Sequence, residues 1–355
     1  MTQDKKTRLV SYWIFIGIAM LIVQVLLGGI TRLTGSGLSI TEWKPIMGTM
    51  PPFSKMEWQK AFHQYQQIAQ FKYLNQHFTI SDFKFIFFWE WFHRLWARLI
   101  GIVFIIPFIY FLVKKYFKDW MIVPLVILFV LGAMQGAVGW IMVQSGLNDN
   151  DLYVSHIRLA VHFISAMVLI SYAWVFALKL SLGNESYVKQ PSLFKGAVYI
   201  LVLVCIQLIY GAFMAGLKAA PAAATFPDIN GAFLPEGTFT QGGFFNDIIH
   251  NKLTVHFIHR TLAFLIGILI FIWWTKAKNI SFSTAFNKAR SFTIALLFLQ
   301  IFLGIITVMN GSTMNPGKFG LYEWFALLHQ MTGMLLLLSV VSVIYISMKS
   351  PVSNN

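Results

Sequence analysis

Charge is scarce in this chain of 355 residues. Only 11% of it is Asp, Glu, Lys or Arg, where a soluble domain carries about 25%. Hydrophobic residues make up 57%, too many to hide in one soluble core, so the chain reads as an integral membrane protein. Cysteine is nearly absent. The single Cys205 sits in an apolar run, which excludes an intrachain disulfide and a cysteine-based metal site. Acidic residues are few: 13 against 27 basic ones, for a formal net charge of +14. The basic residues are scattered through short segments, so the surplus reads as a topology signal and not as a nucleic-acid surface. A cleavage site is lacking too. The start, MTQDKKTRLV, leads into an apolar run longer than a signal peptide needs, and GGITRLTGSGL offers no A-x-A-like site. We therefore expect a retained first span. The lack of an Arg/Ser-rich presequence favours a bacterial chain.

What is abundant is long apolar runs. A membrane helix needs about 20 largely apolar residues, and eight segments qualify, at roughly 10–30, 85–113, 120–143, 152–179, 195–217, 249–275, 290–310 and 321–347. None alternates with the period of a barrel strand. The expected fold class is an all-α polytopic membrane protein, a bundle of eight transmembrane helices that satisfy their own backbone hydrogen bonds. Lys5, Lys6, Arg8, Lys114, Lys115, Lys118, Lys179, Lys189, Lys195, Lys276, Lys278, Lys288, Arg290 and Lys349 fall on one side, while SGLNDNDLY and NGSTMNPGKFG fall on the other. Both termini are thus expected in the cytoplasm. Two longer loops, about 31–84 and 218–248, face outward. Trp43, Pro45, Pro51, Pro52, Phe53 and the run PAAATFPDINGAFLPEG predict a packed lid there, not a loose tether.

The chain repeats itself. WEWFHRLWARLIGIVF (89–104) aligns with VHFIHRTLAFLIGILI (255–270), placing His93 on His259 and Arg94 on Arg260 (259 − 93 = 166). Gln135 and Gly139 meet Gln300 and Gly304 at an offset of 165, and His162 meets His329 at 167. A steady offset predicts two homologous four-helix halves, 1–180 and 181–355, related by a pseudo-two-fold axis along the membrane normal.

The chemistry-bearing residues follow the repeat. Of nine histidines, His63 and His77 read as surface residues of the first long loop, and His156 and His250 as ends of spans. His93, His162, His259 and His329 form the matched set, one pair per half, on its second and fourth helix. Each lies about 8–12 residues inside its span, on the order of 12–18 Å below the outer surface. Two histidines at one depth on two helices can ligate one haem iron between them. A lone intramembrane histidine is usually an interhelical hydrogen-bonding residue, but four in register argue for function. A zinc site would want more ligands close together. Arg94, Arg98 and Arg260 point away from the ligand face and suit haem propionates. For Arg94 the rival is an ion pair with Glu90, four residues before it.

Glu90 breaks the repeat, because its counterpart is His256. One half has Glu-x-x-His and the other His-x-x-His. A carboxylate three residues before a ligand shares its face, where it could relay protons or stabilise developing positive charge. His256 offers an alternative ligand to His259, though only His259 keeps the His-Arg pair. Glycines at 28, 29, 132, 136, 139, 211, 216 and 304 permit close helix approach.

GGITRLTGSGLSITEWKPIMGTMPP, FKFIFFWEWFHRLWARLIG, GAVGWIMVQSGL, VSHIRLAVHF, HFIHRTLAF and LLHQMTG together closely resemble the haem A synthase family. The likeness runs from about residue 25 to 340, in the cysteine-free branch of proteobacteria and mitochondria. The resemblance implies oxidation of the porphyrin C8 methyl of haem O to the formyl group of haem A, for cytochrome oxidase. It implies a resident haem b on His259 and His329, the substrate haem O between His93 and His162, and Glu90 as the catalytic carboxylate. It further implies water as the oxygen source, a bacterial inner-membrane location with haem sites in the outer half, and haem O synthase and cytochrome oxidase assembly components as partners. Homo-oligomer formation is compatible with it. The rival readings are a two-haem cytochrome b electron carrier and a transporter of parallel repeats.

Overall fold

The computed structural model describes residues 3–43, 47–240, 242–278, 283–315 and 319–348; Pro45, Lys318 and Lys349 lie outside them. Among the described residues there are eleven α-helices and no strand: α1 (Gln3–Leu33), α2 (Lys55–Tyr65), α3 (Ala69–Leu74), α4 (Ile80–Val113), α5 (Asp119–Gln144), α6 (His156–Ser181), α7 (Pro191–Gly216), α8 (Phe244–His250), α9 (Lys252–Lys278), α10 (Thr284–Met309) and α11 (Leu321–Ser347). Eight of them, α1, α4, α5, α6, α7, α9, α10 and α11, are long and apolar enough to cross a membrane. The chain is therefore an all-helical, multi-pass membrane protein. Most of these helices outrun their apolar stretches by a few residues. Thr79 caps α4 in a reciprocal box with Asp82, and Pro191 opens α7, where its missing N–H costs nothing. His250 closes the separate short helix α8 and not the span expected there.

The chain divides into two compact units. One comprises Met1–Ile170 with Asn315–Glu323, the other Ser171–Met314 with Trp324–Asn355. In the first unit α1 packs along α4, and in the second α7 packs along α9. Lipid is as apolar as leucine, so close packing and hydrogen bonds must hold such pairs. Trp13 Nε1 donates to Val103 O and Trp96 Nε1 to Met20 O, two indole clamps between α1 and α4. Trp273 Nε1 clamps α9 to Leu193 O of α7 in the same way.

The first long loop is built, not slack. Tyr65 of α2 and Ile68 pack with Leu38, Phe83, Ile86, Phe87 and Val143 into one apolar cluster. Each such fully buried side chain stabilises by roughly 1.5–3 kcal/mol. The Tyr65 hydroxyl donates to Gln70 Oε1 and accepts from Asn75 Nδ2, and burial pushes its phenol up to about 12. Trp43 stacks on Trp140 at 5.3 Å. The second long loop buries Ala219, Ala220, Ala223 and Ile229. Its tip turns on Asp228, whose carboxylate accepts from the Gly231 N–H and the Thr225 hydroxyl. Those bonds hold it below the usual carboxylate range. The packed-lid expectation therefore fits both loops.

Candidate functional site

One face of α4 carries Phe83, Ile86, Phe87 and Glu90 into the interior, the i, i+3, i+4, i+7 stripe of a helix. Glu90 ends that stripe and is only 2% exposed. A carboxylate there must be paired or hydrogen-bonded, and three donors meet it. Ser39 Oγ donates to Oε2 at 2.7 Å and the Ile40 N–H to the same oxygen at 2.8 Å. Arg94 Nη2 pairs with Oε1 at 2.5 Å. Ser39 and Ile40 arrive through the turn after α1, where Gly35 takes φ 70° and the Ser36 N–H returns to Thr31 O. GSGLSI is thus a mount for the carboxylate.

Arg94 also donates to Ile40 O and Glu42 O and lies 5.8 Å over the Trp140 ring. The expected ion pair of Arg94 with Glu90 is formed. Arg98 lies on α4 one turn further on, partly buried.

The four matched histidines occupy α4, α6, α9 and α11. All are half-buried, so rings deep in apolar helices still border accessible space. His259 and His329 face each other, with ring centroids 6.4 Å apart and planes at 76°. His259 Nδ1 and His93 Nδ1 have no hydrogen-bond partner among the described residues. Imidazoles on neighbouring helices, one pair of them face to face, fit the donor set of a bis-histidine haem. Among the described residues no group of three or more His, Cys, Asp or Glu could hold a metal ion.

The second unit handles its matching position differently. His256 is wholly buried, and neither ring nitrogen has a hydrogen-bond partner among the described residues. It is thus less accessible than His259, the other candidate in that half. Arg260 donates through Nη2 to Pro227 O and Asp228 O and lies 5.7 Å over Phe226. Its Nη1 has no such partner among the described residues, so one donor remains for a ligand carboxylate.

Sequence reasoning missed Ser39 and Ile40, whose role depends on a turn that brings residues about fifty positions away onto Glu90. It also missed Gln24 and Gln207. Gln24 Nε2 donates to His93 O at 3.3 Å, and Gln207 Nε2 to His259 O at 3.0 Å. The signal was present as a Gln-x-x-x-Gly pattern, seen only at Gln135 and Gln300.

Residues 11–341 match the family COX15-CtaA, described as cytochrome oxidase assembly protein. The chain is 37% identical over 334 residues to the heme A synthase of Flavobacterium johnsoniae, covering 93% of this chain and 98% of that one. It is 39% identical to the heme A synthase of Nitrosospira multiformis over 84% of this chain and 85% of that one. The heme A synthase of Bartonella quintana is also 39% identical, with 87% and 86% covered.

Proposed function

From the COX15-CtaA family of cytochrome oxidase assembly proteins, to which this chain belongs, we propose how its residues divide the work of making haem A from haem O. The enzyme is a membrane oxidoreductase that oxidises the C8 methyl of haem O to a formyl group, with water supplying the oxygen. The half at 1–180 binds haem O between His93 and His162. The half at 181–355 holds haem b on His259 and His329. Haem b, when bound, supplies one-electron transfer between the substrate site and an acceptor. Arg98 and Arg260 suit propionates, and Arg94 is shared between a propionate and Glu90. The protein resides in the bacterial inner membrane with both termini cytoplasmic and the haem sites in the outer half. Haem O synthase and oxidase assembly components are its partners.

The observation that carries the reading is the state of Glu90. Three donors fix the carboxylate in place, three residues from the proposed ligand His93. A carboxylate held this way can stabilise positive charge developing at the methyl carbon without reorganising. It can also accept a proton there if one donor lets go. The accessible faces of the paired histidines support haem binding, and relatives bearing the name heme A synthase support the substrate.

The test is expression in a host that makes haem O but no haem A. Haem A should accumulate with the wild-type chain and vanish with Glu90→Gln. Haem b alone from the wild-type chain would instead favour an electron carrier and overturn the proposal.

A further inference from the structure

Each of the four histidines lies against a glycine on the preceding membrane helix. A Cβ added at Gly28 would stand 3.2 Å from His93 Cε1, and one at Gly139 2.9 Å from His162 Cε1. At Gly211 it would stand 3.4 Å from His259 Cε1, and at Gly304 3.0 Å from His329 Cε1. Closeness is not general to these helices. Cβ atoms added at Gly17, Gly101, Gly132 or Gly136 would meet nothing within 4 Å.

One turn before each glycine stands a glutamine: Gln24, Gln135, Gln207 and Gln300. Its Nε2 reaches a nitrogen of the same ring: Nε2 of His93 at 3.3 Å, Nδ1 of His162 at 3.2 Å, Nε2 of His259 at 3.4 Å and Nε2 of His329 at 3.3 Å. Three of these amides also donate to the backbone carbonyl of their histidine, at 3.0–3.3 Å. At the fourth, His329 Nδ1 donates to Gln300 O at 3.1 Å. The ring contacts are long and the backbone contacts shorter or equal. An amide can therefore release a ring nitrogen to a metal and still hold the helix that carries the ring.

We propose that Gln24 with Gly28, Gln135 with Gly139, Gln207 with Gly211, and Gln300 with Gly304 are four copies of one positioning element. In each, Gln-x-x-x-Gly on one helix fixes the plane and depth of a histidine ring on the next membrane helix. The unit of repetition is then a helix pair that occurs four times (α1 with α4, α5 with α6, α7 with α9, α10 with α11). The glycine sets how near the ring comes to the backbone. The amide, a two-proton donor, makes the ring nitrogen it touches an acceptor. Such partners orient a ligand and tune its metal. The inference rests on the reading of these histidines as haem ligands.

The test uses the purified full chain with its native haem. Gly304→Ala forces His329 aside by a few tenths of an ångström, and Gln207→Met removes the amide donors at His259 without adding bulk. Both should shift the low-spin electron paramagnetic resonance signal and the midpoint potential of the haem in that half. Gly139→Ala and Gln24→Met should shift the signal of the other half and leave this one in place. Gly132→Ala, on the same helix as Gly139 but facing open space, should change neither. Unchanged signals and potentials in both Gly304→Ala and Gln207→Met would overturn the positioning role. His259→Ala and His329→Ala serve as the separate check on the ligands. If they abolish the signal that Gly304→Ala and Gln207→Met leave untouched, the ligand reading stands and the positioning element falls. If they too leave it untouched, both fall.

Discussion

Ser39→Ala removes one donor from Glu90 and little else. The residue is 2% exposed, and its hydroxyl lies 2.7 Å from Oε2. A hydrogen bond to a charged group is worth about 1.5–3 kcal/mol, and each 1.36 kcal/mol is tenfold in rate. Removing the bond outright would slow turnover by about ten- to a hundredfold if it is fully expressed in the transition state. The Ile40 N–H and Arg94 still hold the carboxylate, so the lower figure, about tenfold, is expected. The assay is the ratio of haem A to haem O extracted from membranes of a haem O-producing host, normalised to bound haem. A positioning role predicts that the ratio falls while total bound haem does not. Ser39→Thr keeps the hydroxyl and should restore turnover. Wild-type turnover in Ser39→Ala beside an inactive Glu90→Gln would refute the reasoning, because the carboxylate would then work without its mount.

Arg94→Met leaves a buried carboxylate without its ion-pair partner, a loss of about 3–5 kcal/mol when such pairs are broken. We expect less folded protein in detergent and less haem A per chain than in Ser39→Ala, read by thermal stability and haem extraction. Tyr65→Phe orphans the Asn75 amide and Gln70 Oε1, at about 1–3 kcal/mol; faster proteolysis within residues 55–75 with unchanged bound haem would show it. Asp228 should confer a pH dependence on the second long loop. Its folded carboxyl lies below the ordinary value, so its contribution is present above that value and is lost as pH falls through the folded one. Protection factors at 225–231, taken relative to the intrinsic exchange rate at each pH, should fall on acidification in the wild-type chain, and Asp228→Asn should show the low protection at neutral pH.

The eight spans were legible because the bilayer demands length and hydropathy, and both are local properties of sequence. The histidines were legible because a repeat keeps them in register over offsets of 165–167. The same test hid Gln24 and Gln207. Their offset is 183 (207 − 24 = 183), since the first long loop carries α2 and α3 and lengthens the spacing before α4. An insertion between the first two helices moves the first out of register while leaving the other three aligned. The mount for Glu90 was hidden for another reason. Ser39 and Ile40 are ordinary loop residues by type, and only the turn at Gly35 and the packing of Leu38 under Tyr65 bring them onto α4.

The position shared by Glu90 and His256 shows why one scaffold can hold two different tasks. Both side chains are buried on the same helical face, three residues before a histidine of the matched set. At Glu90 the preceding turn supplies a hydroxyl and a backbone N–H, and the next helical turn supplies a guanidinium. At His256 none of the described residues hydrogen-bonds the ring, and Arg260 is instead turned to the carbonyls of Pro227 and Asp228. A buried anion is tolerable only where donors surround it. Glutamate at 256 would therefore lack its mount, and His256→Glu should lower folding yield without making the second half oxidise haem O. Haem A formed by the double variant Glu90→Gln, His256→Glu would refute that, since it would mean the carboxylate alone suffices. If the double variant folds and stays inactive, the activity resides in the mount as much as in the carboxylate it holds.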